Sequence, residues 1–321
     1  MNLKDKKIFV IGGAGLIGSH ICDLLKDTNV KKVTIFDNFT RGKEDNLSKI
    51  ILDQRFSITK GDITNFHQLN QSMKGHTDVI HLAASWLNHC QEFPQIAYKQ
   101  NLEGTNNIYK ACVESDIQKV VFSSSASVYG DPNKLVLKED SPYNNTTFYG
   151  STKIAGEHLL KAYCTKYFMK GITLRYFNVY GPRQDYKGAY ISVITKMIDA
   201  ALQGLPLTIY GDGLQSFDFI YVKDVAKANL CALVADIPES YEVYNVCTGV
   251  TTTIINIARI ISEILNVNTN LHYVDSIFPV SFRLGSPYKA KEDLDFDAEV
   301  DINVGLEKLI TWIKDIKGDF K

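Results

Sequence analysis

The sequence predicts an α/β fold: a doubly wound parallel sheet with a smaller α/β carboxy-terminal domain. Two observations carry this. Along the first half, short apolar runs alternate with helix-length segments, the pattern of a parallel sheet covered on both faces. The first run, Lys7–Ile11, leads straight into Gly12-Gly13-Ala14-Gly15-Leu16-Ile17-Gly18, a glycine-rich turn followed by a helix-like segment from Ser19 to Lys26. A chain of 321 residues can bury a core of this size, as one large or two coupled domains.

Each element has its own signal. The glycines let the backbone turn tightly and approach a pyrophosphate, with a helix N-terminus facing its charge. The second strand, Lys32–Phe36, ends in Asp37, nineteen residues after Gly18. An acid there can bond an adenosine ribose and repels a 2′-phosphate, which favours NAD over NADP. Strand, glycine turn, helix, strand and acid together make the sheet Rossmann-type. A third strand is Phe56–Thr59, and Asp62 follows it, able to cap the next helix or to face a ligand. The fourth, Val79–Ala84, carries His81, whose plain reading is a core histidine, and is followed by Trp86. One helix is expected from near Pro94 to near Ser115. The fifth strand, Lys119–Ser123, delivers Ser125 at its carboxyl end, where ligands bind in open parallel sheets. A helix over Phe148–Tyr167 and a sixth strand over Ile172–Phe177 follow. Beyond Pro182 the alternation loosens, with turns at Gly204-Leu205-Pro206 and Gly211-Asp212-Gly213. Strands are expected at Phe217–Val222 and Glu242–Val246, and helices at Asp224–Val234, Ile254–Leu265 and Val304–Ile316.

Tyr149 and Lys153 are four apart on the predicted helix and therefore share a face. A free phenol ionises near pH 10, at about three pH units above neutrality, and a nearby ammonium favours the phenolate. A positively charged nicotinamide would add to that effect. Ser125 can hold or relay the proton of a substrate alcohol. Such a pair on its own is usually an ordinary helix face. Beside a dinucleotide site it is equipment for moving a hydride to or from a carbinol carbon.

Composition excludes other classes. The net charge is −1 with no basic block, so nucleic-acid binding has no electrostatic footprint. No apolar run approaches the ~18 residues of a membrane span. The chain passes from Met1-Asn2-Leu3-Lys4-Asp5 directly into the first strand, so no signal peptide is expected. Six cysteines lack CxxC spacing, which speaks against metal ligation and disulfides and fits a reducing cytoplasm.

The glycine stretch also reads Gly12-x-x-Gly15-x-x-Gly18. That spacing with the Tyr/Lys pair resembles the short-chain dehydrogenase/reductases, and specifically their extended branch of NAD-dependent nucleotide-sugar epimerases and dehydratases. The resemblance rests on Ile11–Ser19, Gly61-Asp62-Ile63, His81–Ala84, Phe122–Gly130, Tyr149–Lys153, Leu174–Arg183 and Gly211–Asp224. It implies Ser125, Tyr149 and Lys153 as catalytic groups. It implies a tightly held NAD contacted by Gly12, Gly15, Leu16, Ile17, Gly18, Asp37, Asn38, Asp62, Ile63, Leu82, Ala83, Ala84, Asn101, Tyr149, Lys153 and Tyr176. For a nucleotide-sugar substrate it implies Ser125, Ser127, Tyr149 and Asn178, and Arg183 and Arg283 are candidate cations. It further implies a homodimer, an NAD-binding domain over 1–177 to which the chain returns around 217–249, and a substrate domain mainly over 178–216 and 250–321.

Departures from the family pattern narrow the chemistry. The family's 4,6-dehydratases carry an Asp-Glu pair after the serine or threonine, and its UDP-glucuronate decarboxylases keep the glutamate. Here those places hold Ala126 and Ser127, neither an acid or base near neutral pH. Reversible oxidation at C4 of the sugar remains, as a 4-epimerase or as a dehydrogenase/reductase that releases or takes up the 4-keto sugar. A regulator that binds NAD without chemistry is the distant alternative. The family's diphosphate-binding arginine is replaced by Phe217, which leaves the nucleotide and the sugar open, GDP and a heptose among them.

Overall fold

The computed structural model describes residues 2–131, 135–186, 191–268, 270–275 and 282–318. The first half alternates strand and helix: β1 (Lys7–Ile11), α1 (Leu16–Lys26), β2 (Lys32–Asp37), β3 (Phe56–Lys60), α2 (Phe66–Met73), β4 (Asp78–His81), α3 (Leu87–Glu92), α4 (Pro94–Ile96), α5 (Gly104–Glu114), β5 (Lys119–Ser125), α6 (Phe148–Tyr167) and β6 (Lys170–Tyr176). The second half holds β7 (Asn178–Tyr180), α7 (Val193–Leu202), β8 (Leu207–Tyr210), β9 (Ser216–Tyr221), α8 (Val222–Val234), β10 (Tyr241–Val246), β11 (Thr251–Thr253), α9 (Ile254–Leu265), β12 (Leu271–Val274), β13 (Phe282–Arg283), α10 (Tyr288–Leu294) and α11 (Ile302–Gly318).

Seven parallel strands form the main sheet in the order β10-β6-β5-β4-β1-β2-β3. β4 is buried at every position, and β1 and β2 at all but their first residues, as both-sided coverage requires. The strand order reverses between β1 and β4, which opens a crevice at their carboxyl ends.

β9 lies in a second sheet, between β11 and β13 and paired with β7. That sheet packs with α7, α9 and α11 on its own core, which includes Ile198, Ile257 and Leu309. Of the segment around 217–249, α8 and β10 therefore join the large unit, whereas β9 stays with the small one. The alternating apolar residues of β9 suit either sheet, so local pattern does not place it. Farther along, Ala290, Leu294 and Phe296 return to the core of the main sheet.

The expected helix over 94–115 is interrupted by a π-helical stretch, Ala97–Glu103, between α4 and α5. Such widened turns gather at functional sites. Here the stretch holds Asn101, whose amide accepts from the Ser85 N–H at 2.7 Å and donates to the Ser85 carbonyl at 3.0 Å.

α6 is capped by the Thr147 hydroxyl, which accepts from the Gly150 N–H at 3.0 Å. One turn beyond Lys153, Glu157 meets Arg175 of β6 in a buried pair: Nη2–Oε2 is 2.7 Å and Nε–Oε1 is 3.0 Å. Ser124 Oγ donates to Oε1 at 2.5 Å and the Tyr143 hydroxyl to Oε2 at 2.9 Å. Arg175 Nη1 reaches the Tyr129 hydroxyl at 2.8 Å and the Glu139 carbonyl at 2.9 Å. Removing one member of a buried, fully bonded pair strands the other charge, at about 3–5 kcal/mol. Glu157→Gln is expected to destabilise the protein by about that amount, and Glu157→Gln with Arg175→Met by clearly less. Urea unfolding midpoints of the two variants test this.

Candidate active site

The crevice between β1 and β4 widens into a cavity of about 540 Å³. Every residue expected at the cofactor lines it except Asn101, which acts one step back by fixing the lining residue Ser85. Gly12 has φ +82°, and a Cβ there would stand 2.7 Å from the Ala83 nitrogen. At Gly15 a Cβ would meet nothing nearer than the Gly12 carbonyl at 3.5 Å, so it would occupy cavity space. No side chain caps α1. Its first-turn residues Leu16, Ile17 and Gly18 face the cavity, and first-turn amides lack intrahelical acceptors, which suits a pyrophosphate. Asp37 Oδ2 accepts from the Ala14 N–H at 2.9 Å and Oδ1 from the Phe39 N–H at 2.8 Å, so it also braces the glycine turn. Burial raises its carboxyl above the usual range. Asp62 accepts from the N–H and hydroxyl of Thr64 and, at 3.1 Å, from Asn38. The cap of α2 is Asn65, not Asp62. These residues fit the adenosine diphosphate half of NAD.

At the inner end, α6 brings Tyr149 and Lys153 to the end of β5. Tyr149 stands next to Ser125, near enough for the serine to favour the phenolate, and Ser125 Oγ accepts from the Ser127 N–H at 3.2 Å. Lys153 is buried, donates to the Ser123 carbonyl at 2.7 Å, and lies 5.5 Å from the Tyr149 ring centroid. The expected phenolate calls on Lys153 and a nicotinamide charge together, and the chain's own groups do not by themselves favour it. Burial pushes the phenol up to about 12, against the nearby Ser125 hydroxyl and the charge of Arg41. Burial also brings the Lys153 ammonium down to about 8. The lysine points to a backbone carbonyl and a ring face, not to the phenolic oxygen. Tyr176 lines the cavity beside them, its hydroxyl 2.9 Å from Ser123 Oγ and within reach of Asn229.

A model described as the NAD dependent epimerase/dehydratase family matches residues 8–247. The chain belongs to that family. A protein of Methanocaldococcus jannaschii provisionally named UDP-glucose 4-epimerase is 36% identical, over 96% of this chain and 98% of its own. A UDP-N-acetyl-alpha-D-glucosaminuronate decarboxylase of Bacillus cytotoxicus is 31% identical, over 98% and 99%. Among solved structures, the UDP-N-acetylglucosamine 4-epimerase of Methanobrevibacter ruminantium in complex with UDP-N-acetylmuramic acid superposes with TM-score 0.91 at 36% identity, covering 98% and 99%. The UDP-glucose 4-epimerase of Thermus thermophilus in complex with NAD gives 0.85 at 29%, covering 96% and 99%. NAD is the cofactor of this family member. Among the described residues no helix is long and apolar enough to cross a membrane.

The substrate candidates divide. Arg183 lines the cavity, but its Nη2 is held by Asp23 at 2.7 Å. Ser125, Ser127, Asn178 and Arg283 lie outside the lining. Asn178 donates to the Asp218 carbonyl at 2.9 Å. Ser127 Oγ and Arg283 Nε are buried without a partner, while Arg283 Nη2 donates to the Gly130 carbonyl at 2.9 Å. Arg283 on β13 is paired in register with Phe217 on β9, so the two side chains leave the sheet on one face. His81 is a core histidine, bonded to Thr105 and kept neutral by burial. Trp86 lines the cavity and is covered by Arg41 and His89.

Sequence reasoning missed Arg41, Gln184 and Asp185, which also line the cavity. Their only local signal is charge or polarity in a loop, which usually means a solvated surface.

Lys153 loses its charge as pH rises through about 8, because burial lowers its pKa from the ordinary value. Turnover that needs the ammonium is therefore expected to fall above about pH 8, and Lys153→Arg, always charged, to lack that alkaline limb. Rate-against-pH profiles of both proteins check this.

Proposed function

We propose that this protein is a UDP-sugar 4-epimerase that oxidises C4 of the sugar to a ketone and reduces it again on the other face. The observation that carries the reading is the pair Tyr149 and Lys153 lining the NAD cavity beside the end of β5, with Ser125 at that strand end and Ala126 and Ser127 in the turn that follows it. Tyr149 takes the proton of the C4 hydroxyl and later returns it. Ser125, next to Tyr149, bridges the phenol and the sugar oxygen. Lys153, fixed on the Ser123 carbonyl, would hold positive charge near the phenol and bond the nicotinamide ribose. NAD, when bound, supplies the acceptor and donor of the hydride and a positive ring that favours the phenolate.

The names of the relatives support UDP as the nucleotide. The diphosphate lacks the family arginine at Phe217, and Arg283 supplies that charge from the neighbouring strand. Its buried Nε without a partner supports this role. The relative named as a decarboxylase supports a second reading, in which oxidation at C4 is followed by loss of a sugar carboxylate. Ala126 and Ser127 offer no acid or base for that step, so epimerisation is preferred. A homodimer, implied by the resemblance, belongs to the same proposal.

Incubation with UDP-sugars, followed by NMR and mass spectrometry, should give an isomer of unchanged mass. Loss of carbon dioxide from a UDP-uronate would favour the second reading, and net NADH with a released ketone would make the protein a dehydrogenase. Tyr149→Phe is expected to lower kcat by about 10²–10⁴ while NAD stays bound. Normal turnover by that variant would remove Tyr149 from the mechanism. Arg283→Gln should raise KM for the UDP-sugar by about tenfold or more, as loss of a charged hydrogen bond does, without weakening NAD binding.

A further inference from the structure

Three side chains that no cofactor or substrate assignment uses meet at the rim of the dinucleotide cavity. Arg41, in the loop after β2, donates through Nε at 2.9 Å and through Nη2 to the same oxygen, Oδ2 of Asp185. Asp185 lies 144 residues away, in the segment after β7 that leads into the small unit. The Arg41 guanidinium also stands 4.3 Å from the ring centroid of Trp86, in the segment after β4. All three residues line the cavity. The contact therefore runs from the β2 side, four residues past Asp37, across to the segment between β7 and α7.

Both ends of this contact are anchored. Trp86 stacks on His89 at 4.5 Å with the planes 14° apart, and His89 Nδ1 is 2.7 Å from Ser85 Oγ. Ser85 is in turn fixed by the Asn101 amide on the π-helical stretch. On the other side, the segment that carries Asp185 is tied to α1 by His20, which reaches the Pro182 carbonyl at 3.0 Å, and by Arg183 on Asp23 at 2.7 Å. Only the middle of the span is held weakly. The side chains of Arg41 and Asp185 are 41% and 31% exposed, so their attraction is screened by solvent and by salt. A span with rigid ends and a weak, partly exposed centre can open without unfolding either unit.

We propose that Arg41, Trp86 and Asp185 form a strap over the dinucleotide cavity, that the Arg41–Asp185 pair must part for NAD to enter or leave, and that the strap sets the residence time of the cofactor. A cofactor retained across turnovers can return to a sugar the hydride it removed. That consequence rests on the proposed epimerase reaction, whereas the strap itself does not.

The test follows cofactor release directly. Protein loaded with labelled NAD is chased with excess unlabelled NAD, and protein-bound label is collected on filters over time. Arg41→Gln and Asp185→Asn are each expected to release label about tenfold faster than the parent. The exchanged pair, Arg41→Asp with Asp185→Arg, is expected to recover at least half of the lost residence time. Added salt should speed release from the parent and leave the two single variants nearly unchanged. Faster release from Arg41→Gln alone would mean that Arg41 touches the cofactor directly, and would overturn the strap. Unchanged release from both single variants, or an exchanged pair no slower than they are, would overturn it as well. Because label release needs no sugar chemistry, a failed epimerase assay leaves this result standing.

Discussion

Consecutive serines at the end of β5 meet side chains from one face of α6. The Ser123 carbonyl holds Lys153 at 2.7 Å, the Ser124 hydroxyl donates to Glu157 at 2.5 Å, and Ser125 stands next to Tyr149. Residues 149, 153 and 157 are one helical turn apart and share a face, so one helix docked in one register fixes all three. The catalytic candidates stand at the cavity because this docking places them there. The Glu157–Arg175 pair fastens the same helix to β6, one strand farther along the sheet. Tyr149 and Lys153 of this face line the cavity, and Glu157 secures the docking.

That docking also sets the local electrostatics. Burying an ammonium and a phenol side by side disfavours the charged form of each. The cost falls on Lys153 as a lowered pKa and on Tyr149 as a raised one. A neighbouring ammonium cannot by itself overcome the desolvation of a phenol that its nitrogen does not face. A phenolate at Tyr149 would therefore need further positive charge beside it. Asp37 shows the same economy of function: its two oxygens hold the glycine turn and its own loop while the side chain lines the cavity.

What the sequence reveals follows from how local each signal is. The glycine turn, the strand ending in Asp37 and the Tyr149/Lys153 spacing are read within a few residues, and all of them meet at one cavity. Long-range pairing is not written that way. β9 carries an apolar pattern that fits either sheet, and only its pairing with β7, β11 and β13 decides. β7, β8 and β11–β13 are two to four residues long, too short for a periodicity to register. The π-helical stretch leaves no compositional trace. Arg41 and Asp185 each read as a solvated loop charge, and their separation along the chain hides the contact. Glu157 was accessible in principle, since it continues the helix face of Tyr149 and Lys153, but its partner Arg175 stands inside an otherwise apolar strand.

The proposed diphosphate site would replace a lost charge without restoring the residue. Phe217 cannot neutralise a diphosphate, yet the next strand places Arg283 beside it in register. Paired residues of adjacent parallel strands project on one face, so a cation there can serve the same volume as one at position 217. Burial lowers the pKa of Arg283 from its ordinary value, and guanidinium is basic enough to remain charged regardless. A charged nitrogen buried without a partner is costly. Its Nη2 is satisfied by the Gly130 carbonyl, next to the turn that follows Ser125, whereas its Nε is not. An anion arriving there would relieve that cost. The same bond ties the cation to the strand end that carries Ser125, so the groups proposed to hold the diphosphate and to handle the C4 proton are set by one short piece of backbone.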